Sequence, residues 1–232
     1  MLSIVIPVYN EKDTIHRLIE AVERSPVPMP KEIVIVDDYS TDGTRELLQM
    51  LEQTGRHIII YHEKNLGKGA ALKTGFNRSR GTVILTQDAD LEYDPNEYHR
   101  IIEPILKGRA DVVYGSRFTN ETTHRGTLKS HYWGNKFLTW LSNAFTGLEL
   151  TDMETGYKAF SRRAIEKILP HLKSDRFGIE PELTARSARH RLRVYEVPIS
   201  YFARSKKDGK KIRWRDGFPA LWAIIKFNVL DN

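Results

Sequence analysis

Short runs of aliphatic and β-branched residues alternate with helical patterns along the first half of the chain. The runs occupy residues 3–8, 32–37, 57–61, 82–86 and 111–114. Amphipathic patterns at helical spacing lie between them, at about 11–24, 42–54, 68–79 and 95–107. Strands that alternate with helices predict an α/β fold, with a Rossmann-like, mostly parallel central sheet flanked by helices.

The second half of the chain has a less regular pattern. Apolar spacing predicts a helix over 129–146, whose apolar face carries Trp133, Phe137, Trp140, Leu141 and Phe145. Strands are predicted at 156–161 and 193–202, and short helices at 162–170 and 180–190. A last helix, at about 216–230, has one face with Phe218, Leu221, Trp222, Ile225 and Val229. We therefore predict one domain, residues 1–212, and a C-terminal amphipathic helical extension, residues 213–232.

Composition narrows the class of protein. The 232 residues contain no cysteine, which excludes disulfides and thiolate metal sites. No apolar stretch reaches the about 18 residues of a membrane span, and the N-terminus reads as a first strand rather than a signal peptide. The net charge is +6, and residues 204–215 alone carry seven basic residues against one acid. An anionic partner is therefore expected near this basic segment.

Four acids follow the apolar run Val83–Leu85, in the stretch TQDADLEYDP. In an extended chain, Asp88, Asp90 and Glu92 project to the same side. Carboxylates this close repel each other unless a cation joins them, and hard oxygen ligands suit Mg²⁺ or Mn²⁺. We predict a metal site at these three residues, whereas Asp94 is expected to cap the helix that begins at Pro95.

Other polar clusters follow other predicted strands, and ligands of open parallel sheets bind beyond the carboxyl ends of the strands. Asp37 and Asp38 can accept from a ribose hydroxyl or a base N–H. The glycine-rich stretch NLGKGAAL (65–72) opens a helix, so Lys68 and the backbone favour an anion, although a plain tight turn is an equal alternative. Arg117 can fork onto phosphate oxygens or form a surface salt bridge.

Eight motifs occur along the chain in a fixed order. They are PVYNE (7–11), VDDYSTDGT (36–44), NLGKGAAL (65–72), QDADLEYDP (87–95), YGSR (114–117), TDMETGYKAFSR (151–162), FGIEPEL (177–183) and VPISYFARSKKDGKKI (197–212). This series resembles the family-2 glycosyltransferases of glycosyltransferase A fold. It is most similar to the group of dolichol-phosphate mannose synthases and polyprenyl-phosphate glycosyltransferases, over residues 1 to about 212.

The resemblance implies a nucleotide-sugar donor, a divalent metal and inversion at the anomeric carbon. It implies that the nucleotide is lined by Pro7, Tyr9, Glu11 and Asp38. It makes Asp88 and Asp90 the metal-binding DxD, with Glu92 where the family often has glutamine. Arg117 would meet the acceptor phosphate, while Arg204 and Lys211 would close over the donor phosphates. Asp152 and Gly156 match a D-x-x-S-G motif at the floor of the site.

Three departures from the family pattern affect these expectations. Tyr39 stands where the family commonly has a small residue, so the nucleotide pocket can differ. The arginine and serine that often precede the amphipathic helix and hold the lipid phosphate are replaced, at best, by Arg125, Lys129 and Ser130. We see no counterpart of the membrane-spanning tail of many relatives.

We therefore expect an inverting, metal-dependent hexosyltransferase. Its donor would be of the GDP-mannose or UDP-glucose type, and its acceptor a polyprenyl or dolichyl phosphate. A lipid monophosphate is largely ionised at neutral pH and needs no strong base, whereas with a sugar hydroxyl as acceptor Asp152 is the candidate base. Basic residues beside tryptophan-bearing helices predict peripheral attachment to the cytoplasmic leaflet, with core packing as the alternative for both helices.

Two other functions are less consistent with the residues. A nucleotidyltransferase would carry a glycine-rich loop directly after the first strand, and PVYNEKDT has no glycine. A nucleic-acid-binding module would use the basic segment 204–215, but the strand-end aspartates would repel nucleic acid. No nucleic acid is expected as a partner, and the oligomeric state is left open.

Overall fold

The structure is a computed structural model that describes residues 1–119, 129–204 and 217–231. The described strands are β1 Leu2–Val8, β2 Lys31–Asp37, β3 Ile58–Tyr61, β4 Val83–Thr86, β5 Val112–Ser116, β6 Lys158–Ser161 and β7 Val194–Pro198. The described helices are α1 Ile15–Arg24, α2 Thr44–Glu52, α3 Lys68–Arg78, α4 Tyr98–Leu106, α5 Lys129–Thr146, α6 Arg162–Ile168, α7 Ile179–Arg189 and α8 Gly217–Ile225, which a π-helical turn, Lys226–Leu230, continues. The predicted alternation of strands and helices is confirmed.

The strands form one seven-stranded sheet in the order β3-β2-β1-β4-β6-β5-β7. Neighbours pair in parallel, except that β6 runs antiparallel to both β4 and β5. The prediction of a mostly parallel sheet is confirmed, but the direction of β6 was not foreseen. Because β6 is reversed, the segment that leads into it, residues 151–157, lies at the edge where β4 and β5 end.

Helices cover both faces of the sheet and bury a layer of aliphatic side chains on each. One face includes Leu18 of α1 and Ile101 of α4, and the other includes Phe76 of α3 and Leu183 of α7. Local signals set the helix starts: Asp94 Oδ1 accepts from Asn96 N (2.9 Å) just before Pro95, as predicted. Asp42 Oδ1 accepts from Thr44 N (3.0 Å) at the start of α2, while Gly43 occupies the cap position itself.

Helix α8 packs on the same body as the sheet. Its buried side chains are Ala220, Ala223, Ile224 and Phe227, and it contacts α5 and α7. Asp231 fixes its end through ion pairs with Lys173 (2.5 Å) and Arg186 (2.6 Å). Two residues of the apolar face that the sequence predicts point away from the core, because Trp222 is 57% exposed and Val229 47% exposed, while Leu221 and Ile225 are half-buried. Core packing therefore does not account for Trp222 and Val229.

Helix α5 leaves its aromatic residues in solvent. Trp133 and Trp140 are 69% and 64% exposed, and Phe137 and Phe145 lie on the same stripe and are also exposed. The side of α5 that faces the protein carries the buried Thr139 and Ser142, and Leu138 and Leu141 are partly buried against the core. Core packing thus accounts for Leu141 but not for the exposed aromatic residues of the stripe. None of the helices in the described ranges is both long and apolar enough to cross a bilayer.

The contact between α3 and β1 depends on a glycine. A Cβ atom at Gly75 would overlap the side chain of Val5, which is fully buried in β1. We expect Gly75→Ala to lower the free energy of unfolding by about 1–3 kcal/mol, because overpacking outweighs the better helix propensity of alanine. In urea denaturation, the control Gly134→Ala, with open space around it in α5, should be neutral or stabilise by up to about 1 kcal/mol. Equal midpoints for the two variants would contradict this packing argument.

Candidate active site

In the loops that follow the carboxyl ends of β1, β2 and β4, three residues have a positive φ, a backbone conformation that residues other than glycine rarely adopt. Asn10 (φ 53°), Tyr39 (φ 66°) and Leu91 (φ 62°) are non-glycine residues in the left-handed region. Such conformations persist only where the surroundings hold them, and they concentrate at functional sites. Tyr39 is held by Arg45, whose guanidinium lies 5.3 Å from the centres of both the Tyr39 and the Tyr61 rings.

A line of alternating charges lies under the DxD stretch. Lys158 of β6 is fully buried and pairs with Glu180 of α7. Lys68, the first residue of α3, lies 3.1 Å from Glu180 Oε1 and 2.8 Å from Asp88 Oδ1. Burial alone would lower the pKa of Lys68, but Asp88 and Glu180 outweigh it and raise that pKa well above its usual value. Asp88 is therefore positioned by a lysine that Glu180 holds in place.

Among the described residues, no cationic side chain forms an ion pair with Asp90 in this way. Burial first, and then the charges of Asp88 and Glu92, raise its pKa to about 8, although Arg204 acts in the opposite direction. Within the described residues, no three carboxylate or imidazole side chains converge as a metal site made by the protein alone. Carboxylate oxygens such as those of Asp88 and Asp90 suit a hard divalent cation, which proteins often hold by one or two carboxylates and complete with phosphates and waters.

Unlike Asp88 and Asp90, Glu92 makes its hydrogen bonds to residues near the C-terminal end of the second described range. Its Oε2 accepts from the hydroxyl of Tyr201 (2.6 Å), and its Oε1 accepts from the backbone N–H of Arg204 (2.9 Å). The Arg204 side chain donates to the carbonyl of Asp90 and to Glu11 Oε2, both at 2.7 Å. Glu92 thus ties residues 201–204 to the DxD stretch, and its predicted role as a metal ligand stays a prediction.

Arg117, directly after β5, is clamped by Asp152. Its Nε and Nη2 donate to the two carboxylate oxygens at 2.6 and 2.8 Å, and its backbone N–H adds a third bond. Asp152 is fully buried and also accepts from Asn135 of α5 (3.2 Å). The guanidinium lies 5.1 Å from the ring centre of Tyr201. This arrangement fixes a cation at the rim and engages both carboxylate oxygens of Asp152.

Asp37 and Asp38, predicted to contact the nucleotide, make their hydrogen bonds within the protein. Asp38 accepts from the N–H groups of Leu66 (2.9 Å) and Gly67 (2.7 Å) and pairs with His62 (2.8 Å). Asp37 is fully buried, and its Oδ2 accepts from Nε of Arg45 (2.7 Å). In this structure both carboxylates therefore shape the loops beside the pocket. A direct contact with the nucleotide stays a prediction for each.

The structure brings most of the other predicted residues to one rim. These are Pro7, Tyr9, Glu11, Lys68, Asp88, Asp90, Glu92, Arg117, Asp152 and Arg204. Arg125 and Lys211 lie outside the described residues, and so do the side chains of Lys129 and Ser130 at the start of α5.

Sequence reasoning missed two charged residues that support the site. Lys158 and Glu180 come from β6 and α7, which are distant from the DxD stretch in sequence. A lysine inside the apolar run YKAF was the available signal for Lys158, because an unpaired buried lysine is unfavourable and requires a partner. Glu180 stood in the quoted motif FGIEPEL without an assigned role.

Comparisons with known proteins agree with this geometry. A sequence profile described as glycosyl transferase family 2 matches residues 3–169. The chain is 30% identical over 235 residues to the polyprenol monophosphomannose synthase of Mycolicibacterium smegmatis, covering 95% of this chain and 86% of that protein. It is 27% identical over 215 residues to the UDP-N-acetylglucosamine–dolichyl-phosphate N-acetylglucosaminyltransferase of Methanococcus voltae, covering 86% and 84%.

A solved structure is similar over the whole of this chain and 80% of its own. It is glucosyl-3-phosphoglycerate synthase from Mycobacterium tuberculosis in complex with Mn²⁺, uridine diphosphate and phosphoglyceric acid, with a TM-score of 0.75 and 18% sequence identity. At this identity the likeness concerns the fold, and it confirms the glycosyltransferase A fold that the resemblance implied.

Gly156, at the floor of the site, allows Asp88 and Lys68 to meet. A Cβ atom there would overlap Asp88 Oδ2 and lie 3.0 Å from Lys68 Nζ. We expect Gly156→Ala to displace Asp88 and to weaken Mn²⁺-dependent binding of a nucleoside diphosphate by at least about tenfold, since the loss of one charged contact has this size. Isothermal titration on the folded variant measures it, with Gly134→Ala as control. Unchanged affinity would show that the position of Asp88 does not matter for binding.

Proposed function

This chain belongs to glycosyl transferase family 2, and we propose that it moves a hexose from a nucleotide-sugar donor to a polyprenyl or dolichyl phosphate at a membrane surface, with inversion at the anomeric carbon. The donor is of the GDP-mannose or UDP-glucose type. One observation carries the proposal: two cationic side chains, Arg204 and Arg117, flank the carboxylate pair Asp88 and Asp90 at one sheet edge.

The carboxylate pair is the proposed site of the donor diphosphate, with Mg²⁺ or Mn²⁺ held by Asp90 and Asp88. When bound, the cation neutralises charge that develops on the departing nucleoside diphosphate. Lys68 pairs with Asp88 and fixes its position, so the site does not need to reorganise for the donor. Arg204 lies beside the pair and adds a positive charge where the diphosphate would sit.

Arg117 is the proposed binding residue for the acceptor phosphate. Nε and Nη2 of Arg117 donate to Asp152. Nη1 of Arg117 is not part of this bidentate pair and is the proposed donor to a phosphate oxygen. An ionised phosphate attacks without a general base, so positioning is the main requirement. The names of the two curated relatives, one a dolichyl-phosphate and the other a polyprenol enzyme, support this acceptor class. A sugar hydroxyl as acceptor is less consistent with the site, because its candidate base, Asp152, is neutralised by Arg117.

The exposed aromatic residues are the proposed contact with the membrane. The stripe on α5 and Trp222 of α8 leave a large apolar area in solvent on two adjoining helices. Indole rings favour the interfacial region of a bilayer, and a net charge of +6 favours the anionic cytoplasmic leaflet. Peripheral attachment there would bring the enzyme to a lipid-linked acceptor.

The donor proposal predicts a metal-dependent stabilisation. With Mn²⁺ present, GDP-mannose, UDP-glucose or UDP-N-acetylglucosamine should raise the melting temperature and, with a polyprenyl phosphate, support transfer. Asp90→Asn should lower kcat/KM by at least about a hundredfold and abolish the rise in melting temperature, because it removes a carboxylate proposed to hold the cation at the diphosphate. Asp94→Asn is the matched control, since Asp94 only caps a helix start. The proposal would be wrong if none of the donors raised the melting temperature, or if Asp90→Asn kept full activity.

The membrane proposal predicts a defect without loss of fold. Replacing both Trp133 and Trp140 by serine should reduce co-sedimentation with anionic liposomes several-fold, because the side chains that enter the interface are lost. Thermal stability should be unchanged, since both residues are exposed. Tyr195→Ser, at an exposed aromatic of β7, is the control. If the double variant sediments as well as the parent protein, α5 is not the membrane contact.

A further inference from the structure

The segment Asp152–Gly156 joins the two halves of the site. At one end, Asp152 holds Arg117, the proposed ligand of the acceptor phosphate. At the other end, Gly156 lies against Asp88, in the proposed diphosphate site, and its N–H donates to the hydroxyl of Tyr93 (3.0 Å). Glu154 is the midpoint of this segment. Its neighbours Met153 and Thr155 are fully buried, whereas Glu154 keeps part of its surface accessible.

The carboxyl group of Glu154 is incompletely satisfied. Its Oε1 is shielded from solvent and has no hydrogen-bond partner among the described residues. Buried oxygens of this kind are rare in folded proteins, and a catalytic role or a bound water or ion is among the explanations for them. Among the described residues, Ser142 and Arg186 also have a buried side-chain atom without a hydrogen-bond partner, and neither belongs to the segment Asp152–Gly156.

The charges around Glu154 place it in the site. Lys158 and Arg117 act to lower its pKa, while burial, and after it Glu180 and Asp152, raise it, with a net value of about 7. Burial is the largest of these effects, so the two cations do not fully offset the cost of ionising this carboxylate. A hydroxyl group that donates to Oε1 would supply such a contact and lower this pKa.

The chemistry of the substrates narrows what can supply that hydroxyl. The acceptor phosphate is ionised, so it brings no proton to donate, and its charge would be repelled by a carboxylate. The diphosphate is equally anionic. At the moment of transfer, the hexose lies between the diphosphate at Asp88 and Asp90 and the acceptor at Arg117. Its ring hydroxyls are the hydrogen-bond donors that substrate brings to this place.

We propose that Glu154 binds a ring hydroxyl of the transferred hexose and thereby selects the sugar of the donor. This inference rests on the proposed function, because it requires a nucleotide-sugar at the carboxylate pair. A site built to hydrogen-bond a substrate hydroxyl rejects the analogue that lacks it far more strongly than a site that only fits its shape. Glu154 is thus a determinant of sugar specificity and not of nucleotide affinity.

The test compares Glu154→Gln and Glu154→Ala with the parent protein in the presence of Mn²⁺. The nucleoside diphosphate alone should bind all three within about twofold, because it makes no contact with Glu154. The intact sugar nucleotide should bind Glu154→Ala about ten- to a hundredfold more weakly than the parent protein, the size expected for a hydrogen bond to a charged group. Glu154→Gln, which keeps an acceptor oxygen, should lie between them. Glu149→Gln, at an exposed acid nearby, is the control.

A series of deoxy-sugar donors, one hydroxyl removed at a time, identifies the contact. Removing the hydroxyl that Glu154 binds should lower the affinity of the parent protein for the donor about ten- to a hundredfold. The same removal should not lower the affinity of Glu154→Ala any further. Equal losses in both proteins for every deoxy donor would overturn the inference. A parallel loss of nucleoside diphosphate affinity or of melting temperature in Glu154→Gln would do so too, since it would indicate a structural role. If the parent protein binds no sugar nucleotide at all, the proposed function fails instead.

Discussion

The candidate site depends on keeping like charges together at the end of a buried strand. Asp88 and Asp90 are two residues apart, and neither would stay ionised in a dry environment without compensation. The ion pairs Lys158–Glu180 and Lys68–Asp88 compensate part of this charge. Lys158 belongs to β6, and Lys68 is the first residue of α3. Each charge from Asp88 through Lys68 and Glu180 to Lys158 lies next to an opposite charge, which offsets part of the free-energy cost of burying it. Asp90 forms no ion pair with another described residue, and it is the carboxylate for which a bound cation is most favourable.

The reversed strand β6 gives this line its geometry. In a purely parallel sheet, Lys158 would enter from the opposite edge and could not reach the end of β4. Because β6 runs antiparallel between β4 and β5, the segment before it crosses the site and supplies Asp152, Glu154 and Gly156 in succession. One stretch of backbone therefore sets the spacing between Arg117 and the carboxylate pair Asp88 and Asp90.

Much of this arrangement could be predicted from the sequence, and the exceptions have physical reasons. Strand and helix positions followed from periodicity, and strand-end acids such as Asp90 followed from the edge rule for parallel sheets. The pairing of Lys158 with Glu180 could not be predicted, because two residues that are distant in the sequence leave no periodic pattern when they form an ion pair. The inward face of α8 was not predicted either: the small side chains Ala220 and Ala223 pack on the core, whereas hydropathy alone marks the larger Trp222.

Glu92 links the two parts of the site thermodynamically. The same carboxylate receives Tyr201 and the backbone of Arg204, so any cation that draws Glu92 away must compete with both donors. By reciprocity, holding residues 201–204 in place weakens the affinity of that cation by the same factor. A glutamine, which relatives of this type often carry there, would be neutral and would weaken this competition. The carboxylate thus couples the occupancy of the DxD stretch to the position of the chain that lies over it.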